Sequence, residues 1–413
     1  MGNIYSASIS FTRFRVIDPI PSELLTQIPE KLRQFTFRDI DDLPEMQAYG
    51  WVCFEDMLDT EWRTAPPQKG NYFTFSLRLD TRRIPPAIIK KQLSLALKAE
   101  KEKIQAQGKK FISRERKKDL KEQVLLRLRQ RFLPTPAEFN VVWEPDHNEV
   151  WFASTQGKMI DLFMEAFLNT FELHLEQIEP YSLAEGLLDD VDMGKLDRSE
   201  STRFTGEPGS DGLMLGNVLG EEFLTWLWFQ SDVAPGAFVD KDGQPFSVSM
   251  EQRIVVQGGQ GEAKETASVA GTLSPLTEAR FGLGKGKKVT RATIRLEKDE
   301  LAFQFTLSAD DFTLGSMKLP KVEKPAEDED PDAMLLERFY LMEVCLGLLE
   351  SLYASFLRLR LSADWSETVQ GITAWIKREQ HTFGKLQASK HHQQKQAVAF
   401  ASCWSAACLA SKR

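Results

Sequence analysis

Apolar and polar residues alternate over residues 4–17, where Ile9, Phe11 and Val16 are interspersed with Ser10, Thr12, Arg13 and Arg15. That period predicts a strand. A short helix is predicted from Ser22 to Phe35, opened by Pro21-Ser22-Glu23. Tyr49–Phe54 and Tyr72–Leu79 read as further strands, separated by a polar loop holding Pro66-Pro67. Pro85-Pro86 then introduces a helix, proline being tolerated in a first turn. Its stripe is Ile89, Leu93, Leu97 and Ile104, and Gly108 breaks it. A second helix begins near Ser113, an N-cap residue, with the stripe Leu120, Val124, Leu128, Phe132. Two amphipathic helices joined by a short turn are expected to fold back on each other as an antiparallel hairpin, the apolar stripes inward.

Pro134 and Pro136 end this arm, and Phe139–Trp143 and Glu149–Ala153 flank Asp146-His147-Asn148 as a β-hairpin. Gly157–Leu175 is a helix with Ile160, Phe163, Phe167 and Phe171 on one face. Residues 185–212 are acidic and glycine-rich and read as a loop or domain junction. Phe223–Phe229 reads as a short buried helix, Gln252–Val256 as a strand, and Leu276–Gly282 as one helical turn or two. Val289–Leu296 and Leu301–Leu307 are alternating strands around Lys298-Asp299-Glu300, and Glu323–Asp332 is an acidic linker. Helix returns over Ala333–Leu361, with Phe339, Met342, Leu346, Leu349 and Tyr353 as its stripe. No internal repeat is visible.

The order of elements predicts an α+β fold: mixed sheets with a protruding basic helical-hairpin arm. The expected division is an N-terminal α+β domain (1–81 and 134–184) and the arm (82–133). A central β-rich domain (185–322), a C-terminal helical region (323–376) and a tail (377–413) follow. The chain of 413 residues is 42% hydrophobic and 27% charged, an ordinary globular balance. No run approaches the roughly 18 uncharged apolar residues of a membrane span. The N-terminus lacks a secretory pattern, so a cytoplasmic location is expected. Gly2–Ser6 loosely suits a myristoylation signal, a pattern common by chance. The four cysteines, Cys53, Cys345, Cys403 and Cys408, are scattered as in a reduced protein. The pair Cys403 and Cys408 after His391 and His392 matches no compact zinc spacing, so no metal and no cofactor are expected.

The net charge of −8 conceals an uneven distribution. From Arg82 to Arg131 there are 17 Lys/Arg against 5 Asp/Glu, a net of +12, which leaves −20 on the rest. Such a field suits a phosphate backbone. Lys109, Lys110, Arg114, Arg116, Lys117, Lys118 and Lys121 gather near the hairpin turn, where they could meet phosphates without reading bases. A solvated helical surface is the plainer reading, but such a surface usually balances its charges.

A second basic feature is Gly282-Leu283-Gly284-Lys285-Gly286-Lys287-Lys288-Val289-Thr290-Arg291. It fails the Walker pattern, because Phe281 stands where the first Gly is needed and Lys288 replaces Ser/Thr. It reads as a mobile Gly/Lys loop ahead of a strand bearing Arg291 and Arg295, suited to duplex contact; a plain surface turn is the alternative. Seven Lys/Arg stand against one acid over residues 280–298. Catalytic signals are weak: no histidine lies beside a nucleophile signature. The clusters Asp189-Asp190-Val191-Asp192 and Glu327–Asp332 sit in linker-like segments, where solvated acids gather. Trp143, Trp151, Trp226 and Trp228 have the apolar neighbours of core residues rather than of base-stacking ones.

This order of features resembles the RdgC family of bacterial recombination-associated proteins, in patches over about residues 1–360. The most specific stretch is Ile84–Tyr181, with Ile84-Pro85-Pro86, Lys117–Leu125 and the Phe139–Trp143 strand. Gly50-Trp51-Val52, Phe223–Leu227, Gly286–Arg291 and Arg338-Phe339 are also similar to family segments. The resemblance implies a multi-lobed horseshoe that closes as a homodimer into a ring around duplex DNA, binds without sequence preference and restrains RecA-promoted strand exchange. It implies a nucleoid-associated location. It places Lys287 on the wall of the hole with Arg291 next, and makes the arm the tip that meets its partner, with Phe132 or Leu133 near that contact. The family's Arg-Ala-Lys-Lys-Gln lining segment has no counterpart near Val255–Gly258, and extra length falls at 195–280 and after 375. The DNA-binding set is therefore Lys285, Lys287, Lys288, Arg291, Lys109, Lys110, Arg114, Lys117, Lys118 and Lys121. Two other classes compete: a metal-dependent DNA exonuclease, and a scaffold whose basic arm binds an acidic protein surface.

Overall fold

A computed structural model of the chain describes residues 4–106, 111–202, 204–205, 215–233, 237–258, 265–270, 276–321 and 332–377. Lys109, Lys110, most of the acidic run from Glu323, His391, His392, Cys403 and Cys408 lie outside them. The chain divides into two compact units, Met1–Ser6 with Phe11–Glu176, and Ala7–Ser10 with Gln177–Arg413. Both combine helices with antiparallel sheet, so the architecture is α+β.

In the first unit the elements are β1 (Ile9–Val16), α1 (Ser22–Gln34), β2 (Gln47–Val52), β3 (Gln68–Lys69), β4 (Tyr72–Thr81), α2 (Pro86–Ala106), α3 (Arg114–Arg129), β5 (Thr135–Glu144), β6 (Glu149–Phe152), α4 (Gly157–Phe171) and β7 (Leu175–Gln177). The strands run in the order β1-β6-β5-β4-β2, with β3 on β4 and β7 on β1. β5 and β6 form the hairpin expected from Asp146-His147-Asn148, whose last residue takes the left-handed conformation at φ 55°. Period-two alternation sends Phe73, Phe75, Leu77 and Leu79 of β4 and Phe139, Val141 and Trp143 of β5 to one face. There they pack with the stripes of α1 and α4: Leu24, Ile28, Leu32, Ile160, Phe163, Phe167 and Phe171. Phe152 stacks on Phe163 with centroids 4.2 Å apart. Trp51 donates its indole N–H to Thr170 Oγ1 at 2.7 Å, so its one polar atom is satisfied within the core.

The opposite sheet face is also buried, and it mixes polar side chains with Phe11, Val142 and Trp151. The Arg13 guanidinium grips Glu149 through Nε at 2.5 Å and a terminal nitrogen at 3.0 Å. This pair holds the Glu149 carboxyl below its usual range despite burial. Arg78 donates twice to Asp80, at 2.8 Å each, and stacks over the Phe37 ring at 4.1 Å.

Gly50 in β2 is fixed by close backbone approach. A Cβ there would lie 2.5 Å from the Phe37 Cα and N. Phe37 N donates to Trp51 O at 2.9 Å and Trp51 N to Phe35 O at 3.1 Å, which lock that approach. Gly50→Ala is expected to cost about 1–3 kcal/mol through overpacking. The check is the urea midpoint of the full chain at unchanged m-value.

The second unit contains α5 (Pro180–Leu187), α6 (Asp190–Arg198), α7 (Leu215–Val233), β8 (Ala237–Val239), β9 (Pro245–Gly258), β10 (Glu265–Ala270), α8 (Leu276–Gly284), β11 (Lys288–Lys298), β12 (Leu301–Ser308), β13 (Leu314–Lys318) and α9 (Ala333–Arg360). Its sheet runs β10-β9-β11-β12-β13, with β8 on β9, and residues 365–377 are helical. Several expectations are corrected here. The acidic stretch from 185 is helical as far as Arg198: the Asp189 side chain caps α6, accepting from Asp192 N at 2.8 Å, and Asp190 and Asp192 fill its first turn. Carboxylates there meet unpaired N–H groups and the positive end of the helix dipole, which is why they gather. The helix around Phe223–Phe229 is far longer, and the strand at Gln252–Val256 extends to 14 residues.

α9 is, among the described residues, the one helix long and apolar enough to cross a membrane by length and composition. Its stripe is spent inside the unit, where Phe339, Met342, Leu346, Leu349 and Tyr353 are buried. Phe223 and Trp226 of α7 meet Phe356 of α9 at centroid distances of 5.5 Å each. Beside them Arg360 Nε donates to Glu222 Oε2 at 2.6 Å, a fully buried ion pair.

Candidate nucleic-acid interface

The arm is an antiparallel helical hairpin. Glu100, late in α2, pairs with Arg116, early in α3, at 2.7 Å, while Gln92, Leu95 and Ala96 face Val124, Arg127 and Leu128. Ser113 caps α3, its hydroxyl accepting from Arg116 N at 3.1 Å. Leu120, Val124 and Leu128 are the buried positions of α3, as the stripe predicts. Arg114, Lys117, Lys118 and Lys121 fall at i, i+3, i+4 and i+7, so they share one side of α3. All four are exposed, and none makes an ion pair among the described residues. The guanidinium of Arg116, by contrast, is taken by Glu100.

Not every basic residue counted toward the arm's charge is available. Arg82 is 1% exposed, and its guanidinium donates only to main-chain carbonyls. These are Phe132 O at 2.5 Å, Leu43 O and Ile40 O at 2.8 Å, Asp41 O at 3.1 Å, and Glu45 O. It is a clasp at the root of the arm and cannot meet a phosphate. The same geometry fixes where Phe132 and Leu133 stand. Both lie at the root of the hairpin, at the opposite end from its turn, because α3 ends at Arg129 and Arg82 holds the Phe132 carbonyl. Leu133 is 71% exposed, whereas Phe132 is half-buried. Beside the turn stands Phe111, 86% exposed, a residue that the periodicity argument passes over because it belongs to neither stripe.

The Gly/Lys segment of the second unit is a helix terminus rather than a mobile loop. Gly286 takes φ 79°, its N–H bonds to Leu283 O at 2.9 Å, and Lys287 N–H bonds to Gly282 O at 3.1 Å. These are the paired bonds of a Schellman C-cap on α8, which explains the glycine at 286. A Cβ on Gly258 would lie 2.8 Å from Lys287 Cγ, and one on Gly282 3.5 Å from its Cδ. The Lys287 stem therefore lies in a notch that two glycines leave open.

The fold also neutralises much of this segment's charge. Lys287 Nζ reaches Glu265 Oε2 at 3.0 Å and Lys288 Nζ reaches Glu221 Oε2 at 2.7 Å. Lys298 pairs with Asp240 at 2.6 Å, Arg295 with Glu297, and Arg280 with Asp232 at 3.3 Å. Arg280 is also stacked on Trp375 at 4.4 Å. Lys285 and Arg291 remain exposed without an ion pair among the described residues, Lys285 lying over the Phe281 ring at 5.6 Å. Glu265 is 77% exposed, so its pair with Lys287 is weak and open to exchange for a phosphate.

Among the described residues no group of three or more His, Cys, Asp or Glu side chains stands close enough to hold a metal ion. Burial pushes the Cys53 thiol up to about 11, far from a reactive thiolate. Burial likewise raises Glu221, against the opposing pull of Lys288. Trp143, Trp151, Trp226 and Trp228 are all buried and unavailable for base stacking.

No curated protein matches the chain. Residues 10–185, spanning β1 to α5 and including the whole arm, match the model of a family described as "Putative exonuclease, RdgC". The sheet with its helical arm is thus the part of the molecule that the family model covers, and over residues 10–185 the chain is similar to the RdgC family.

Proposed function

We propose that this protein binds double-stranded DNA without sequence preference, as a homodimer that closes into a ring or clamp and restrains RecA-type strand exchange on the nucleoid. The observation that carries this reading is the row Arg114, Lys117, Lys118, Lys121: four exposed cations on one side of α3 with no ion pair among the described residues. A row of this kind neutralises phosphates and carries no base-reading geometry. Lys109 and Lys110, outside the described residues, belong to the same proposed set, and Lys285, Lys287, Lys288 and Arg291 would supply a second contact in the other unit. Leu133 and Phe132 at the arm root are the proposed dimer contact.

The test is the salt dependence of binding to two unrelated duplexes of equal length. Each neutralised phosphate contributes about 0.9 to the log–log slope, so several contacts give a steep line, identical for both. A shallow slope, or a strong preference for one duplex, would reject the proposal. Closed circular and linear DNA compared beside the solution mass test the ring. Lys287→Glu places a second carboxylate beside Glu265, and is expected to flatten the slope by about 1 without loss of helicity. An unchanged slope removes Lys287 from the interface.

The family description names an exonuclease, and a second reading of this chain is therefore a DNA exonuclease, for which metal dependence is our proposal. Shortening of end-labelled duplex with Mg²⁺ or Mn²⁺, persisting through further purification, would establish it.

A further inference from the structure

We propose that Glu265 is a built-in competitor for the Lys287 contact, its carboxylate standing where a phosphate of the duplex would bind. The second unit then grips DNA through Lys287 only by displacing Glu265. The inference rests on the duplex reading above and names how that contact is regulated. Three segments meet at this point. Lys287 lies between α8 and β11, Gly258 ends β9, and Glu265 opens β10 directly opposite Gly258 in the antiparallel register. The lysine stem crosses the gap that the glycines leave. A Cβ on Gly258 would lie 2.8 Å from Lys287 Cγ and 3.5 Å from its Cα and Cβ, and one on Gly282 would lie 3.5 Å from its Cδ.

The two members of the pair are not equivalent. The Lys287 side chain is 22% exposed and that of Glu265 is 77% exposed. A lysine seated along its stem has already lost most of the rotamer freedom that an exposed ion pair costs, whereas the glutamate has not. Nζ therefore stays in place when a phosphate arrives, and the carboxylate swings out into solvent. Glu265 Oε2 accepts from Nζ at 3.0 Å, as a phosphate oxygen would. The neighbouring pair lacks this asymmetry: the Glu221 side chain that holds Lys288 is 15% exposed and far less free to leave. Pairs as exposed as that of Glu265 shift a binding equilibrium by up to about fivefold, which is enough to tune a contact without abolishing it.

The test is a double-mutant cycle on the full chain, with anisotropy of a fluorescein-labelled duplex followed across a salt series. Glu265→Gln is expected to tighten binding by about threefold to fivefold at about 0.1 M salt, and the gain should shrink as salt rises. In the Lys287→Gln background the same change should give no gain, because the competitor then has nothing to compete for. Gly258→Ala tests the notch. Gly258 is not one of the left-handed glycines, and the three atoms nearest its added Cβ all belong to Lys287, so alanine there acts on the lysine stem. It is expected to weaken binding as much as Lys287→Gln does, to flatten the slope by about 1, and to add nothing when combined with it. Circular dichroism shows that each variant is folded. No gain in Glu265→Gln, or a gain that survives in Lys287→Gln, would overturn the proposal and leave the duplex reading standing. Native binding by Gly258→Ala would overturn it too, by showing that the stem is not held. A native chain that fails to bind duplex would overturn the reading and the proposal together.

Discussion

Arg82→Met is expected to destabilise the first unit by about 3 kcal/mol or more, because breaking a buried hydrogen-bond network is one of the few single changes that exceed the usual 0.5–3 kcal/mol. The residue has no carboxylate partner. Its guanidinium is satisfied by carbonyls of Ile40, Asp41, Leu43 and Glu45 on one segment and of Phe132 on another. Hydrogen bonds with a charged donor contribute about 1.5–3 kcal/mol each, and carbonyls stranded in a buried site lose solvation without return. Met retains the volume and removes every donor. Its main-chain N–H keeps the bond to Met46 O at 2.8 Å, so the loss isolates the side chain. Urea unfolding of the full chain would read the change. A shift below about 1 kcal/mol would mean that the carbonyls find water and that the clasp is dispensable.

The second large effect concerns binding rather than stability. Reversing Arg114, Lys117, Lys118 and Lys121 to Glu together is expected to lower duplex affinity by at least about a hundredfold near 0.1 M salt, and to flatten the log–log slope by about 4. The fold should survive, because all four side chains are exposed and acids in the first turns of α3 favour its dipole. Circular dichroism provides the control. A slope equal to that of the native chain would place the DNA elsewhere, whatever the change in affinity.

Local periodicity carried most of the arm and of the first sheet. The stripe Leu120, Val124, Leu128 is the buried face of α3, and Ser113 is its cap. Both follow from interactions within four residues, where helix geometry leaves few alternatives. The acidic run at Asp189–Asp192 was harder to place, because a capped helix start and a solvated linker share one composition. The length of α7 was hidden for a related reason: Glu221 and Glu222 look like surface residues until Lys288 and Arg360 are brought to them.

The charge argument divides in the same way. On α3 the sequence order is also the spatial order, so the exposed row Arg114, Lys117, Lys118, Lys121 could be named in advance. Around Lys285–Arg291 the count of bases and acids was correct and its meaning incomplete. Glu265, Glu221, Asp240 and Asp232 come from distant positions to pair with Lys287, Lys288, Lys298 and Arg280. Gly286 looked like a source of mobility and is a helix cap.

From the chain order alone came the α+β class, the hairpin arm and the excess of cations along it, since these depend on spacing between near neighbours. The closing of Arg82 onto five carbonyls and the partners of the Gly/Lys turn were decided by tertiary structure. Each depends on which remote groups come within a few ångströms, and Coulomb and hydrogen-bond energies fall too steeply with distance for any local pattern to report that.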